Sequence, residues 1–230
     1  MKKVAIFDVD GTIFRSSLLI ELVEALAREG IFEENALASY QKEKKEWLDR
    51  KGSYEEYINR VVKVFVSHIK GVAFEDFNRV AKEVVLLHQD RTYRFTRDLI
   101  KTLKRKKYYL LAVSHSPWGI LDLFCKKLGF DKAYGKFYEL GPNDCFTGKI
   151  VDDHLISNKA AIVRRALSKQ GLTLEDSVGV GDTESDIPML ELVDNPICFN
   201  PNSKLFREAK RNGWRIVVER KDVVYEIKAQ

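Results

Sequence analysis

Two carboxylates, Asp8 and Asp10, stand two residues apart directly after the apolar run of residues 4–7. A strand leaving a core presents residues i and i+2 on the same side, so both carboxylates point into one crevice. Two like charges that close are costly unless a cation lies between them or one of them holds a proton. Read alone, the pair also fits a turn with an aspartate capping a helix. A second acidic cluster, Gly179-Val180-Gly181-Asp182-Thr183-Glu184-Ser185-Asp186, again sets acids at the end of an apolar run, with Asp186 four residues beyond Asp182. If the two runs are neighbouring strands, Asp8, Asp182 and Asp186 converge on one point. Oxygen-only ligands of this kind suit a hard cation, Mg²⁺ rather than zinc.

Two further groups suit an anionic substrate. Ser114 closes a third apolar run, where its hydroxyl can donate to an oxyanion, and the helix that follows presents an anion-favouring N-terminus. Ser116 reads as that helix's N-cap, with Pro117 at its first position and Gly129 beyond its end. Lys159 opens another helix, where a cation opposes the helix dipole and therefore invites a functional reading. His115 sits beside Ser114, whereas His68, His88 and His154 show no ligand spacing. The run Lys104-Arg105-Lys106-Lys107 is a solvated helix end with favourable dipole placement.

The elements that must position these groups alternate. Short apolar runs at residues 4–7, 108–113, 177–180, 196–199 and 214–218 read as strands, with helical spacing at 96–107, 117–128 and 158–169 between them. Such alternation predicts an α/β fold, a Rossmann-like parallel sheet core with helices on both faces, whose ligands gather at the carboxyl ends of the strands. Residues 15–90 differ: they lack strand-like runs and carry helical stripes such as Leu18, Leu19, Leu22, Val23 and Leu26, or Tyr57, Val61, Val64 and Phe65. This predicts an inserted helical cap over 15–90, with the α/β core formed by 1–14 and 91–230. Residues 136–140 and 146–151 flank Gly141-Pro142-Asn143-Asp144 as a hairpin.

The chain has 230 residues, 45% hydrophobic and 32% charged, which excludes disordered, collagenous and low-complexity classes. Lys and Arg number 39 against 34 Asp and Glu, a net charge of +5, so nucleic-acid binding is not implied. Cys125, Cys145 and Cys198 are far apart and form neither a disulfide framework nor a zinc site. The longest apolar run, residues 108–113, is too short to span a bilayer, and Asp8 and Asp10 interrupt any signal-peptide reading of the start. A cytoplasmic location is expected.

The four groups occur in the order Asp8-Val9-Asp10-Gly11-Thr12, Ser114, Lys159, and Gly181-Asp182-Thr183-Glu184-Ser185-Asp186. In this the chain resembles the haloacid dehalogenase superfamily of phosphohydrolases. The helical insertion between the first two motifs, and the stretch from Lys159 through Asp186-Ile187-Pro188-Met189-Leu190 to Asn195-Pro196, resemble its phosphoserine-phosphatase-like branch (subfamily IB). The resemblance implies Asp8 as nucleophile forming an aspartyl-phosphate, and Asp10 as general acid and then base, with its backbone carbonyl on the metal. It implies Asp8, Asp10, Asp182 and Asp186 as the Mg²⁺ set, Asp186 directly or through water. Ser114 and Lys159 would hold the phosphoryl oxygens, with Gly11 and Thr12 completing the substrate-binding set.

One departure bears on the substrate. Where phosphoserine phosphatases carry a glutamate to grip the substrate's amino group, this chain has Arg15-Ser16-Ser17-Leu18. A different small phosphomonoester, or a lipid or polyol phosphate, is therefore expected. The alternatives are a phosphomutase of the same superfamily, or a protein that binds phosphate-bearing partners without turnover. A dehalogenase needs no acid at position 10. Trp47, Tyr54 and Arg60 belong to the cap, but spacing does not place them at the cleft, and the oligomeric state is not legible.

Overall fold

The computed structural model describes residues 1–33, 35–151 and 158–227. An eight-stranded sheet carries the chain, in the order β4-β3-β2-β1-β5-β6-β7-β8. Its strands are β1 (Lys2–Phe7), β2 (Tyr109–Pro117), β3 (Lys132–Leu140), β4 (Phe146–Val151), β5 (Leu172–Gly181), β6 (Asn195–Phe199), β7 (Arg215–Arg220) and β8 (Val223–Ile227). Neighbouring pairs are parallel from β3 through β7, and only the two edge strands, β4 and β8, run antiparallel. The core of the sheet is thus parallel, as expected, and antiparallel pairing is confined to its two margins.

β1 is the central strand because it is apolar on both faces. Val4 and Ile6 pack with Ile162, Val163, Met189 and Leu205 on one side, while Ala5 and Phe7 pack with Leu103, Phe124 and Phe130 on the other. Apart from Phe130, which follows α7, those partners come from helices α6 (Arg94–Arg105) and α7 (Trp118–Leu128) on one face, and α8 (Lys159–Gln170), α9 (Ile187–Leu190) and α10 (Ser203–Asn212) on the opposite one. A strand so covered has no polar face to offer, which suits a parallel sheet.

Residues between β1 and α6 form α1 (Leu18–Arg28), α2 (Asn35–Ala38), α3 (Gln41–Leu48), α4 (Tyr54–Ile69) and α5 (Phe74–His88), the helical cap. The predicted stripes face inward: Leu18, Leu19, Leu22, Val23 and Leu26 of α1 and Tyr57, Val61, Val64 and Phe65 of α4 are all buried. Ser53 and Glu56 close a reciprocal capping box that fixes where α4 starts. The two chain crossings between core and cap are tied together. Arg15 N–H donates to Arg91 O at 2.8 Å, and Tyr93 N–H to Ile13 O at 2.9 Å.

Several boundaries differ from the sequence reading. β2 continues through Ser114 and Ser116 to Pro117, so α7 begins at Trp118 with Pro117, not Ser116, as its N-cap. β5 starts at Leu172, pairing with Lys2 and Lys3 before the register shifts, and Asp176 adopts a left-handed φ of 55°. The hairpin joins β3 to β4 as expected, yet β3 also pairs in parallel with β2 over its first half. His154 lies outside the described residues. No helix among the described residues is long and apolar enough to cross a membrane.

The cap is anchored on that hairpin. Phe146 is 7% exposed and its ring meets Phe77 at 5.1 Å between centroids and Phe74 at 6.1 Å. We expect Phe146→Ala to lower unfolding stability by about 3–5 kcal/mol; urea denaturation checks this, and an unchanged midpoint would contradict it.

Candidate active site

The tips of β1, β2 and β5 adjoin because β1 lies between the other two, with Phe7 in register with Ala112 and Val180. Asp8 and Asp182 therefore leave neighbouring strands side by side. Single carboxylate oxygens of Asp8, Asp182 and Asp186 lie within 4.8 Å of one another. Gly181 makes room for this: a side chain there would come within 2.5 Å of Asp186 Cβ and Cγ. Gly11 does the same from the other strand, since its φ of +81° is left-handed and a Cβ would lie 2.2 Å from Asp182 Oδ2.

Lys159 enters this cluster from the first turn of α8. Its Nζ donates to Asp8 Oδ1 at 2.6 Å and to Asp186 Oδ1 at 2.5 Å, and the side chain is 2% exposed. The position that is awkward for a helix dipole is thus paired with two anions. Burial alone would lower the Lys159 ammonium, yet the charges of Asp186 and Asp8 outweigh it and raise it. Burial pushes the Asp8 carboxyl up to about 7; Lys159 pulls it down, and Asp186 and Asp10 add to the rise. Burial also raises Asp182, with the charges of Asp8 and Asp186 reinforcing it.

Asp186 is occupied on both oxygens. Oδ1 takes Lys159, and Oδ2 accepts the backbone N–H groups of Asp182 and Thr183, each at 3.0 Å. Its geometry is that of a group that shapes the turn carrying Asp182. Thr12 is fully buried, and its hydroxyl donates to Asp182 Oδ1 at 3.3 Å. The Gly11 N–H is engaged within its own turn by the carbonyls of Phe14 and Ser16.

Asp10 sits apart from this knot. Its Oδ2 accepts the hydroxyls of Ser114 at 2.7 Å and Ser116 at 2.8 Å, and its Oδ1 accepts the N–H of Leu18 at 2.6 Å. Leu18 is the first residue of α1, so Asp10 satisfies an orphan donor of that helix. The capping reading and the crevice reading of Asp10 are therefore both realised. In this arrangement Ser114 faces Asp10. Ser116, 3% exposed, is a site residue that the sequence reading assigned to a helix cap. The signal for it was present in the Ser-x-Ser spacing, which sets two hydroxyls on one side of a strand.

From the cap, Tyr54 reaches this region. Its phenol is raised by burial first and then by the charges of Asp10 and Asp182. Trp47 packs edge-on against Tyr54, with ring centroids 5.4 Å apart. Arg60, by contrast, is exposed and donates to the carbonyl of Ser39. Sequence alone did not place Tyr54, because its position depends on how the cap folds back.

With all three ionised, the carboxylates outnumber the one ammonium by two negative charges, the deficit that one divalent cation would remove. The donor set is oxygen only, and Mg²⁺ fits it.

Comparison with known proteins agrees with this geometry. The chain is 26% identical over 223 residues to a phosphoserine phosphatase of Methanocaldococcus jannaschii, covering 96% of this chain and 94% of that protein. It is 25% identical over 231 residues to a histidinol-phosphatase of Neisseria meningitidis serogroup C, covering 94% and 99%. A solved phospho-aspartyl intermediate analogue of phosphoserine phosphatase superposes with a TM-score of 0.63 at 25% identity, over 96% of this chain and 95% of that one. The model of the haloacid dehalogenase-like hydrolases matches residues 5–191. With its motifs joined at one crevice under a helical cap, the chain belongs to the haloacid dehalogenase-like hydrolase family and is a phosphatase of that family.

Proposed function

We propose that the protein is a Mg²⁺-dependent phosphatase that hydrolyses a small phosphomonoester through an aspartyl-phosphate on Asp8. The observation that carries this reading is the Lys159 ammonium buried between Asp8 and Asp186, with an Asp182 carboxylate oxygen within 4.8 Å of theirs. Phosphoryl transfer spreads charge over equatorial oxygens, so the site must supply positive potential and position before anything else. Asp8 and Asp182, with the Asp10 carbonyl, would hold the metal, which when bound neutralises phosphate charge and lets an anionic nucleophile approach.

The chain's own residues divide the remaining work. Lys159 orients Asp8 and shares its charge with the incoming phosphoryl oxygens. Asp8 attacks phosphorus, the phosphorus–oxygen bond to the leaving alcohol breaks, and the alkoxide takes a proton from Asp10. Asp10 then removes a proton from the water that attacks the aspartyl-phosphate, releasing inorganic phosphate and restoring Asp8. To reach the leaving oxygen the Asp10 carboxyl must turn away from Ser114 and Ser116, which frees the Ser114 hydroxyl to donate to the phosphoryl group. Asp186 shapes the turn and tethers Lys159. Arg15-Ser16-Ser17-Leu18 stands where the resemblance to phosphoserine phosphatases leads one to expect a glutamate for the substrate's amino group, which favours a different alcohol as leaving group.

With p-nitrophenyl phosphate and Mg²⁺, Asp8→Asn is expected to abolish turnover while the fold is retained, and EDTA to abolish it in the unsubstituted protein. Appreciable turnover by the folded variant would reject the nucleophile. Lys159→Ala leaves Asp8 and Asp186 buried without their cation, and a stability loss of about 3–5 kcal/mol is expected by denaturant titration. A loss within the error of the titration would contradict the pairing.

The metal-free protein should also lose stability as pH rises. Asp8 holds its proton more tightly folded, near 7, than at its ordinary value of 3.8, so folding is favoured below the lower value and that benefit fades up to about 7. Melting temperature in EDTA is therefore expected to fall from pH 5 to pH 8, and Mg²⁺ to restore most at the upper end. Parallel curves with and without Mg²⁺ would count against a metal beside Asp8.

A further inference from the structure

The cap meets the core at two ends of α4 that are built differently. At the far end, backbone and aromatic contacts fasten it. Gly71 N–H donates to Phe146 O at 2.8 Å, Phe146 N–H donates to Val72 O at 2.9 Å, Ala73 bridges Cys145, and Phe65 packs on Tyr138 at 5.0 Å. At the near end, 16 residues back and so roughly 24 Å away, polar side chains meet. Glu55 Oε2, next to Tyr54 in the chain, pairs with Lys204 Nζ on the core at 3.4 Å.

Lys204 lies in the first turn of α10 on the core, and the same ammonium pairs with Glu184 Oε1 at 2.6 Å. Asn202, the N-cap of α10, donates its side-chain amide to the other oxygen of Glu184, and its backbone N–H to Asp182 O at 2.9 Å. Glu184 stands between Asp182 and Asp186 in the chain. One exposed lysine therefore links the acidic turn of the site to the cap residue adjoining Tyr54.

We infer that Lys204 is a positioning residue, an ionic latch that holds the start of α4, and with it Tyr54, over the carboxylates. The two ends differ in strength for a physical reason. Buried aromatic packing and backbone bonds are indifferent to salt, whereas an exposed ion pair is weak and screened. The cap then opens at α3 and the start of α4, pivoting on the Phe146 corner, and substrate enters under Tyr54. What the latch protects rests on the proposed reaction at Asp8; that it exists does not.

The test uses the full chain with Cys145→Ser, spin labels at Lys51→Cys and Arg207→Cys, and electron–electron distance measurement in Mg²⁺ at low salt; Cys125 and Cys198 are buried. A dominant short distance is expected. Glu55→Gln, or about 1 M NaCl where the screening length is ~3 Å, should raise the longer-distance fraction about two- to fivefold, the range set by one exposed ion pair. Lys204→Arg should keep the short distance, and labels at Glu75→Cys and Lys149→Cys, on the anchored corner, should not respond. Identical distributions with and without Glu55→Gln, or both label pairs moving together, would overturn the latch. Failure of p-nitrophenyl phosphate turnover with the distances behaving as described would reject the reaction and leave the latch standing.

Discussion

The Lys159 ammonium, held out of water between Asp8 and Asp186, is the interaction on which the site depends. An isolated buried cation or carboxylate is costly, and a buried pair persists only with good geometry and further hydrogen bonds. Here the further bonds are present: Asp186 spends its second oxygen on two backbone N–H groups, which bends the chain after β5 and carries Asp182 toward Asp8. The ion pair, the turn and the approach of the two strand tips are thus one construction. The glycines at 11 and 181 are its steric condition, since any side chain there would strike a carboxylate that the construction needs.

A central parallel sheet gives this construction its rigid frame. β1 and β5 are buried on both faces, so Asp8 and Asp182 are carried on strands that have little freedom. The cap has its own core of α1, α4 and α5 side chains and shares part of it with α7 and the β3–β4 hairpin. In the proposed reaction the sheet carries the chemistry and the helices cover it. Asp10 belongs to both, because it follows β1 and yet satisfies the first N–H of α1, so the cap is joined to the residue proposed as acid for the leaving group.

Much of this was legible in the chain. Uninterrupted apolar runs announced β1, β2 and β6, and carboxylates after β1 and β5 marked the crevice. β5 was read too short because Glu175 and Asp176 interrupt its hydrophobic pattern, and an irregular register lets the strand continue past them. β8 escaped notice since it is a short and mostly exposed edge strand. Pro117 misled because its fixed φ suits a helix start and also the end of an extended strand; only the pairing of β2 with β3 decides between them. Ser116 takes its role from a partner 106 positions away, and no local periodicity encodes such a meeting.

The most direct trial of the central claim is a crystal of the protein grown with Mn²⁺ in place of Mg²⁺ and read at the manganese absorption edge. A single anomalous peak bridging Asp8 and Asp182, with Lys159 still bound to Asp186, is the expected result. Manganese sitting elsewhere, or an empty crevice under saturating metal, would contradict it.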